Sequence, residues 1–98
     1  MTGSNIQRSD HYGALQRVVD SLFEEDDAPY LEIADPEAAF KVSRLQVVLA
    51  AEAADLPEDL LRVVALLPPG EYTRLRLTTQ LNSAITGHAW GQVYGTVS

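Results

Sequence analysis

Ser9, Asp10 and His11 are the side chains of this sequence whose types match a hydrolytic triad, in which a base activates a hydroxyl nucleophile. A triad requires a fold that brings its three side chains together at one reacting atom, and adjacent positions in the chain cannot converge in this way. We therefore interpret the trio as a helix cap followed by a solvent-facing histidine. The chain has no cysteine, which excludes cysteine nucleophiles, disulfides and thiolate metal sites.

Motifs for metals and cofactors are also missing from the sequence. His88, the second of the two histidines, has no further candidate ligand at the i+4 spacing of a helical metal site. The acidic run Glu24, Glu25, Asp26 and Asp27 lacks the alternating oxygen ligands and the internal glycine of a calcium loop. The glycines form no phosphate-binding pattern. We therefore expect a non-enzymatic protein with no cofactor, no metal site and no small-molecule substrate.

Charge is unevenly distributed along the 98 residues, which have 14 acidic and 7 basic side chains and a net charge of −7. Residues 1–56 carry the whole of this excess, residues 57–98 are balanced, and no charged residue follows Arg76. This excess of negative charge disfavours nonspecific electrostatic binding to nucleic acid or to anionic lipid. The run from Glu24 to Asp27 is a candidate acidic patch for a basic partner.

The chain shows neither a secretory signal nor a membrane span. The N-terminal segment MTGSNIQRSD lacks an apolar stretch, and the longest dense apolar run, 45–51, is far shorter than the roughly 20 residues of a transmembrane helix. We expect a soluble, cytoplasmic protein that does not interact with membranes. Its length and its 46% apolar content predict one small domain over residues 9–98, preceded by a flexible leader over residues 1–8.

Helix caps and apolar periodicity predict a mainly α fold. The caps include Asp35, which is followed by a proline, and Thr73. The pattern indicates a small four-helix domain, with helices over about 10–25, 36–54, 57–67 and 73–87. Two further segments, 30–33 and 92–97, have the composition of short strands and predict a two-stranded element.

The predicted helix over 36–54 has apolar residues on two nearly opposite faces. One stripe contains Ala38, Val42, Leu45 and Leu49, and the other contains Phe40, Val47 and Ala54. A helix of this kind is central in its fold, or one of its stripes meets a partner. We expect a contact through such a stripe or through the aromatic segment near the C-terminal end, whose Trp and Tyr side chains are either core residues or interface anchors. The predicted partner-binding residues are Phe40, Val47, Trp90 and Tyr94.

The segments LPEDLLRVVALL, PPGEYT and RLRLTTQLNSAIT place an apolar helix, a tight corner and a Thr-capped helix in succession. This arrangement, over about 40 residues, resembles the first half of a winged helix-turn-helix, and VYGTVS resembles the start of a recognition helix. The resemblance implies a DNA-binding transcriptional regulator that uses residues 57–98. Its nucleic-acid contacts would be Arg74, Arg76, Thr79, Gln80 and Ser83.

Taken together, these patterns favour an acidic interaction or regulatory protein. We expect it to bind a protein partner, or a second copy of itself as a homodimer, through an apolar helical stripe. The DNA-binding regulator is the first alternative, although its negative charge would oppose contact with phosphates. The second alternative is an acidic decoy of a nucleic-acid-binding protein, which would use the run from Glu24 to Asp27.

Overall fold

Six helices and one two-stranded antiparallel sheet make up residues 9–98, which are the residues that this computed structural model describes. The predicted mainly α class is confirmed. The expected leader over residues 1–8 lies outside the described residues. The elements, in chain order, are α1 (Ala14–Leu22), α2 (Leu31–Ala34), β1 (Val42–Ser43), α3 (Arg44–Ala53), α4 (Glu58–Ala65), β2 (Glu71–Tyr72), α5 (Arg74–Gly87) and α6 (Gly91–Tyr94).

The core is formed by one apolar face from each of the four longest helices. The predicted helices over 10–25, 57–67 and 73–87 are confirmed as α1, α4 and α5, of which α1 is clearly shorter than expected. Their inward side chains are leucine, valine and isoleucine at helical spacing, so a single cluster can exclude water. Its fully buried members include Leu15, Val19, Val47, Leu60, Val64, Leu77, Leu81 and Ile85.

Helix α3 begins at Arg44 because a capping box precedes it. The Ser43 hydroxyl accepts a hydrogen bond from the Gln46 amide at 3.1 Å, and the Gln46 side chain accepts one from the Ser43 amide at 2.8 Å. The Arg44 guanidinium donates to the Leu67 carbonyl at 2.7 Å and to the Ala65 carbonyl at 3.0 Å. These bonds satisfy carbonyls at the end of α4, so α3 and α4 pack as an antiparallel pair.

The first part of the predicted helix over 36–54 is not helical. Asp35 and Pro36 begin only a turn, in which the Ala38 amide donates to the Asp35 carbonyl at 3.0 Å. The chain then forms β1, whose Val42 pairs with Tyr72 of β2. A partner this far along the chain provides backbone hydrogen bonds that compete with a local helix. Ala38, Phe40 and Val42 therefore share no helix with the later apolar residues.

The predicted strand pair of 30–33 with 92–97 is wrong. The first segment overlaps the single helical turn α2, where the Asp35 amide donates to the Leu31 carbonyl at 2.9 Å. The second begins in the short helix α6, which ends at Gly95 with a φ of +84°. A Cβ at Gly95 would lie 3.4 Å from the Tyr12 ring, so this turn favours glycine on both steric and backbone grounds.

The extended segment after Gly95 connects α1 to α5. The Asn82 side chain donates to the Val97 carbonyl and accepts from the Val97 amide, both at 2.7 Å. The Gln16 side chain exchanges two hydrogen bonds with the Ser98 backbone, at 2.8 and 3.0 Å. The Val97 side chain is buried in the core. This segment therefore contributes to the core packing without forming a strand.

Candidate functional site

The residues that resemble catalytic or metal-binding groups make only local contacts. The Ser9 hydroxyl accepts a hydrogen bond from the His11 backbone amide at 3.0 Å within a turn, and the His11 side chain is exposed. The predicted helix cap at this trio is wrong, because α1 begins only at Ala14, after Gly13, and has no side-chain cap. Within residues 9–98, no three His, Asp or Glu side chains come together as a metal site. In the same part of the chain, no helix has the length and the apolar composition needed to cross a membrane.

Two of the four predicted partner-binding residues belong to the interior or its edge. Val47 has 0% exposure and lies in the core, so it cannot contact a partner while the domain is folded. Phe40 is half-buried and packs edge-on against Phe23, with 5.9 Å between the ring centroids. This corrects the expected orientation of the stripes, because α1 and α4 cover the face of α3 that carries Val47.

The other two predicted residues, Trp90 and Tyr94, form a half-buried aromatic corner. Their rings meet edge-on at 6.0 Å, and the Trp90 ring stacks on His88 at 4.5 Å. The Tyr94 hydroxyl donates to the Asp59 carboxylate at 2.8 Å, and this hydrogen bond raises the pKa of Tyr94. The corner ties α6 to α4 and packs against the core.

The outer face of α3 retains two exposed leucines. Leu45 is 64% exposed and Leu49 is 54% exposed, and their spacing of four residues places them one above the other on the helix. The sequence had grouped both residues in one stripe, although the other stripe was expected to meet the partner. We call this pair, together with the exposed Ala53 one turn further on, the α3 face.

Shallow grooves flank the α3 face on both sides. The groove towards α1, about 560 Å³, is lined by Ala53 and other apolar side chains and also by polar ones, namely His11, Arg17, Ser21 and Asp55. The groove towards α4, about 370 Å³, has a floor that includes Val48 and Leu61. The face therefore forms a ridge between two depressions, a shape that the surface of another helix can match.

The basic residues predicted to bind DNA are engaged within the domain. Arg74 donates to the Asp20 carboxylate and to the Ser98 carbonyl, and its hydrogen bond lowers the pKa of Asp20. The Arg76 guanidinium carbon lies 5.5 Å from the centre of the Tyr72 ring. The three polar residues of the prediction, Thr79, Gln80 and Ser83, are exposed on α5.

Protein side chains also cap the N-terminus of α5. The Thr73 hydroxyl accepts from the Arg76 amide at 3.2 Å, and the Glu32 carboxylate accepts from the Leu75 amide at 2.7 Å. Free amides at a helix N-terminus are groups that bind phosphate. Here the Glu32 carboxylate of α2 already accepts a hydrogen bond from one of these amides, and its negative charge would repel a phosphate.

A second exposed apolar set lies around this cap, and the sequence analysis missed it. Tyr30, Ile33 and Leu75 are 69%, 87% and 59% exposed, and the Glu32 bond to the Leu75 amide brings α2 against the start of α5. The acidic residues before α2 are mostly exposed, and Asp26 accepts locally from the Ala28 amide at 3.2 Å. Leu75 could have been found from the sequence, because it falls outside the inward stripe of α5.

No protein-family model, curated protein or solved structure matches this chain. The functional proposals therefore depend on the geometry of the described residues.

Proposed function

We propose that this protein is a non-enzymatic interaction domain that binds another protein chain, a partner or a second copy, through the α3 face. The exposure of Leu45 and Leu49 supports this proposal most directly. Covering both side chains would contribute about 2 kcal/mol from the hydrophobic effect. Exposed apolar side chains that lie next to one another on a helix are typical of a surface that is covered in a complex.

Charged groups around the ridge can provide specificity. Arg44, Glu52, Glu58 and Arg62 line the groove on the α4 side, and the Arg62–Glu58 pair at 3.5 Å is largely exposed. An apolar centre with a rim of mixed charge is the usual organisation of a protein interface. Such a rim favours a partner whose charges alternate in the complementary order.

DNA binding through α5 has less support. Arg74 would have to leave Asp20 and the Ser98 carbonyl to reach a phosphate. A gel shift at several salt concentrations, with Arg76→Glu as the variant, tests this alternative. The acidic-decoy function would use a different surface, and charge reversal of the run from Glu24 to Asp27 is its test.

The α3 face can be tested with a photoreactive amino acid at position 53 of the full chain. We expect crosslinks to one defined protein, or to a second copy, that are lost when Leu45→Ser and Leu49→Ser are combined. Leu66→Ser is the matched control, because Leu66 is 57% exposed but lies on the side of α4 that adjoins α5. The control should leave the crosslinks unchanged.

Sedimentation over a wide concentration range separates the two classes of partner. Self-association through the α3 face predicts a dimer whose dissociation constant rises at least tenfold in the double serine variant. A strict monomer that also gives no crosslink above the background would contradict the proposed function. Equal crosslinking by the double variant and the Leu66→Ser control would contradict it as well.

A further inference from the structure

We infer that α2 and the acidic residues around it bind a basic segment of a partner protein that also carries an apolar side chain. This acidic docking surface consists of the acids within residues 24–37 together with the exposed side chains of Tyr30, Ile33 and Leu75. It is separate from the α3 face and does not depend on the function proposed for that face.

The charge of this surface is not compensated by described residues. Residues 24–37 contain seven acids and no base. Five of the acids have side chains with no hydrogen bond or ion pair to any residue among 9–98: Glu24, Glu25, Asp27, Asp35 and Glu37. The ammonium of Lys41 donates to the backbone carbonyls of Glu37 and Ala39 instead of a carboxylate. Exposed carboxylates without a cationic partner in the described part of the domain attract a cationic ligand.

The apolar part of the surface determines what kind of cation fits. Isoleucine is among the residues most often buried, yet Ile33 is 87% exposed, and Tyr30 lies one turn before it. The Glu32 bond at 2.7 Å places Leu75 beside the same turn. A simple metal ion or a polyamine would leave these side chains in water. A basic segment with a leucine or an aromatic residue would cover them, and an exposed tyrosine is a frequent anchor for such contacts.

The surface is held in place before any partner arrives. The Asp35 amide closes the α2 turn at 2.9 Å, and Asp26 fixes the preceding loop through the Ala28 amide. Little ordering entropy is then lost on binding. A second copy is a poor occupant because it has the same charge of −7. Nucleic acid and anionic membranes are repelled for the same reason.

The test titrates the full chain against two labelled synthetic peptides and measures fluorescence anisotropy at low and high salt. One peptide is an amphipathic helix of lysines and leucines, and the other has serine in place of each leucine. We expect the lysine–leucine peptide to bind about tenfold more tightly than the lysine–serine peptide. Combined Tyr30→Ser and Ile33→Ser should remove this preference, and these exposed positions can be changed without loss of core packing.

Variants that remove charge inside or outside the acidic docking surface show whether the peptide binds at this surface. Removing three charges with E24Q, E25Q and D27N should weaken binding about tenfold at low salt. The matched control E52Q, E58Q and E71Q also removes three exposed charges, but outside the surface, and should change binding less than twofold. Equal loss in both triple variants would show attraction to net charge alone and would overturn the inference.

The remaining outcomes of the peptide titration come from two double variants, one at Tyr30 and Ile33 and one at Leu45 and Leu49. The same affinity for both peptides, or no effect of the Ile33 and Tyr30 changes, would also overturn the inference. The double variant of Leu45 and Leu49 should bind both peptides normally. A failure of the α3 face is therefore distinguishable from a failure of this surface.

Discussion

Helices α3 and α5 pack on the same core but present different chemistry to solvent. The outer side of α5 carries Thr79 and Gln80, and its N-terminal groups bond to side chains of other elements. The outer side of α3 carries Leu45 and Leu49, which are exposed and are not among the buried residues of the core cluster. Beyond its first turn, where Leu75 is exposed, α5 therefore serves as a scaffold with a polar outer side, whereas α3 leaves apolar area exposed along its outer side.

The largest expected effect is a difference in the free energy of unfolding between two substitutions, one of an inward leucine of α5 and one of an outward leucine of α3. Leu81 is fully buried, so Leu81→Ala should reduce the free energy of unfolding by about 3 kcal/mol, through lost burial and a cavity. Leu49→Ala should cost less than about 1 kcal/mol because the site is half open. Urea unfolding of both variants measures this contrast. Similar losses would mean that Leu49 is a core residue and would remove the distinction between the helices.

A second prediction concerns the role of α5 in holding the C-terminal segment. Asn82→Ala deletes both hydrogen bonds to the Val97 backbone and should lower the free energy of unfolding by about 2 kcal/mol. The neighbouring exposed Ser83→Ala is the control and should stay within about 0.5 kcal/mol of the parent protein. Equal stability of the two variants would show that the segment contributes little to the scaffold.

The third prediction is a smaller loss of stability when Glu32, which caps the N-terminus of α5 from α2, is replaced. Glu32→Ala should cost about 1 kcal/mol because the Leu75 amide loses its acceptor and the helix dipole loses a favourable charge. Hydrogen exchange at the Leu75 amide should become faster in this variant. Glu37→Ala removes a nearby acid whose side chain makes no bond to a described residue, and it should not change that exchange rate. Unchanged protection in Glu32→Ala would contradict the cap.

The smallest expected effect is a pH dependence from Asp20. Arg74 lowers the pKa of Asp20 below its ordinary value of 3.8, so the folded state favours the charged carboxylate. The resulting stabilisation is present above pH 3.8 and is lost as the pH falls through the lowered value. Denaturant midpoints of the parent protein and Asp20→Asn should therefore converge in acid. A constant difference across this range would contradict the ion pair.

Local signals in the sequence predicted α4 and α5 closely, made α1 too long and misplaced the start of α3. Asp35 and Pro36 are residue types that often begin a helix, but they begin only a turn here. The capping box of Ser43 and Gln46 marks the actual start of α3. The pairing of Val42 with Tyr72 decides between these two starts. That pairing joins distant parts of the chain, and no local periodicity reveals it.

The candidate surfaces were predictable only in part. The two stripes on the second predicted helix were visible, but periodicity alone cannot decide which stripe faces the core. The packing of α1 and α4 buries Val47 and leaves Leu45 open. The outward position of Leu75 on its helix was visible in the sequence, but its proximity to α2 was not, because a hydrogen bond between residues 43 positions apart, Glu32 and Leu75, creates it.

Hydrogen bonds join the residues around the start of α1 to α6 and to the C-terminal segment. The Ser9 amide donates to the Val93 carbonyl, and the Gly13 amide donates to the Tyr94 carbonyl. The pair of Gln16 and Ser98 spans 82 positions. At ribosomal rates of roughly 5–20 residues per second, a newly made α1 waits on the order of 4–16 s for these contacts. During that interval Val18 and Val19 lack the native neighbours that bury them, and the bonds of Gln16 form only after residue 98 is synthesised.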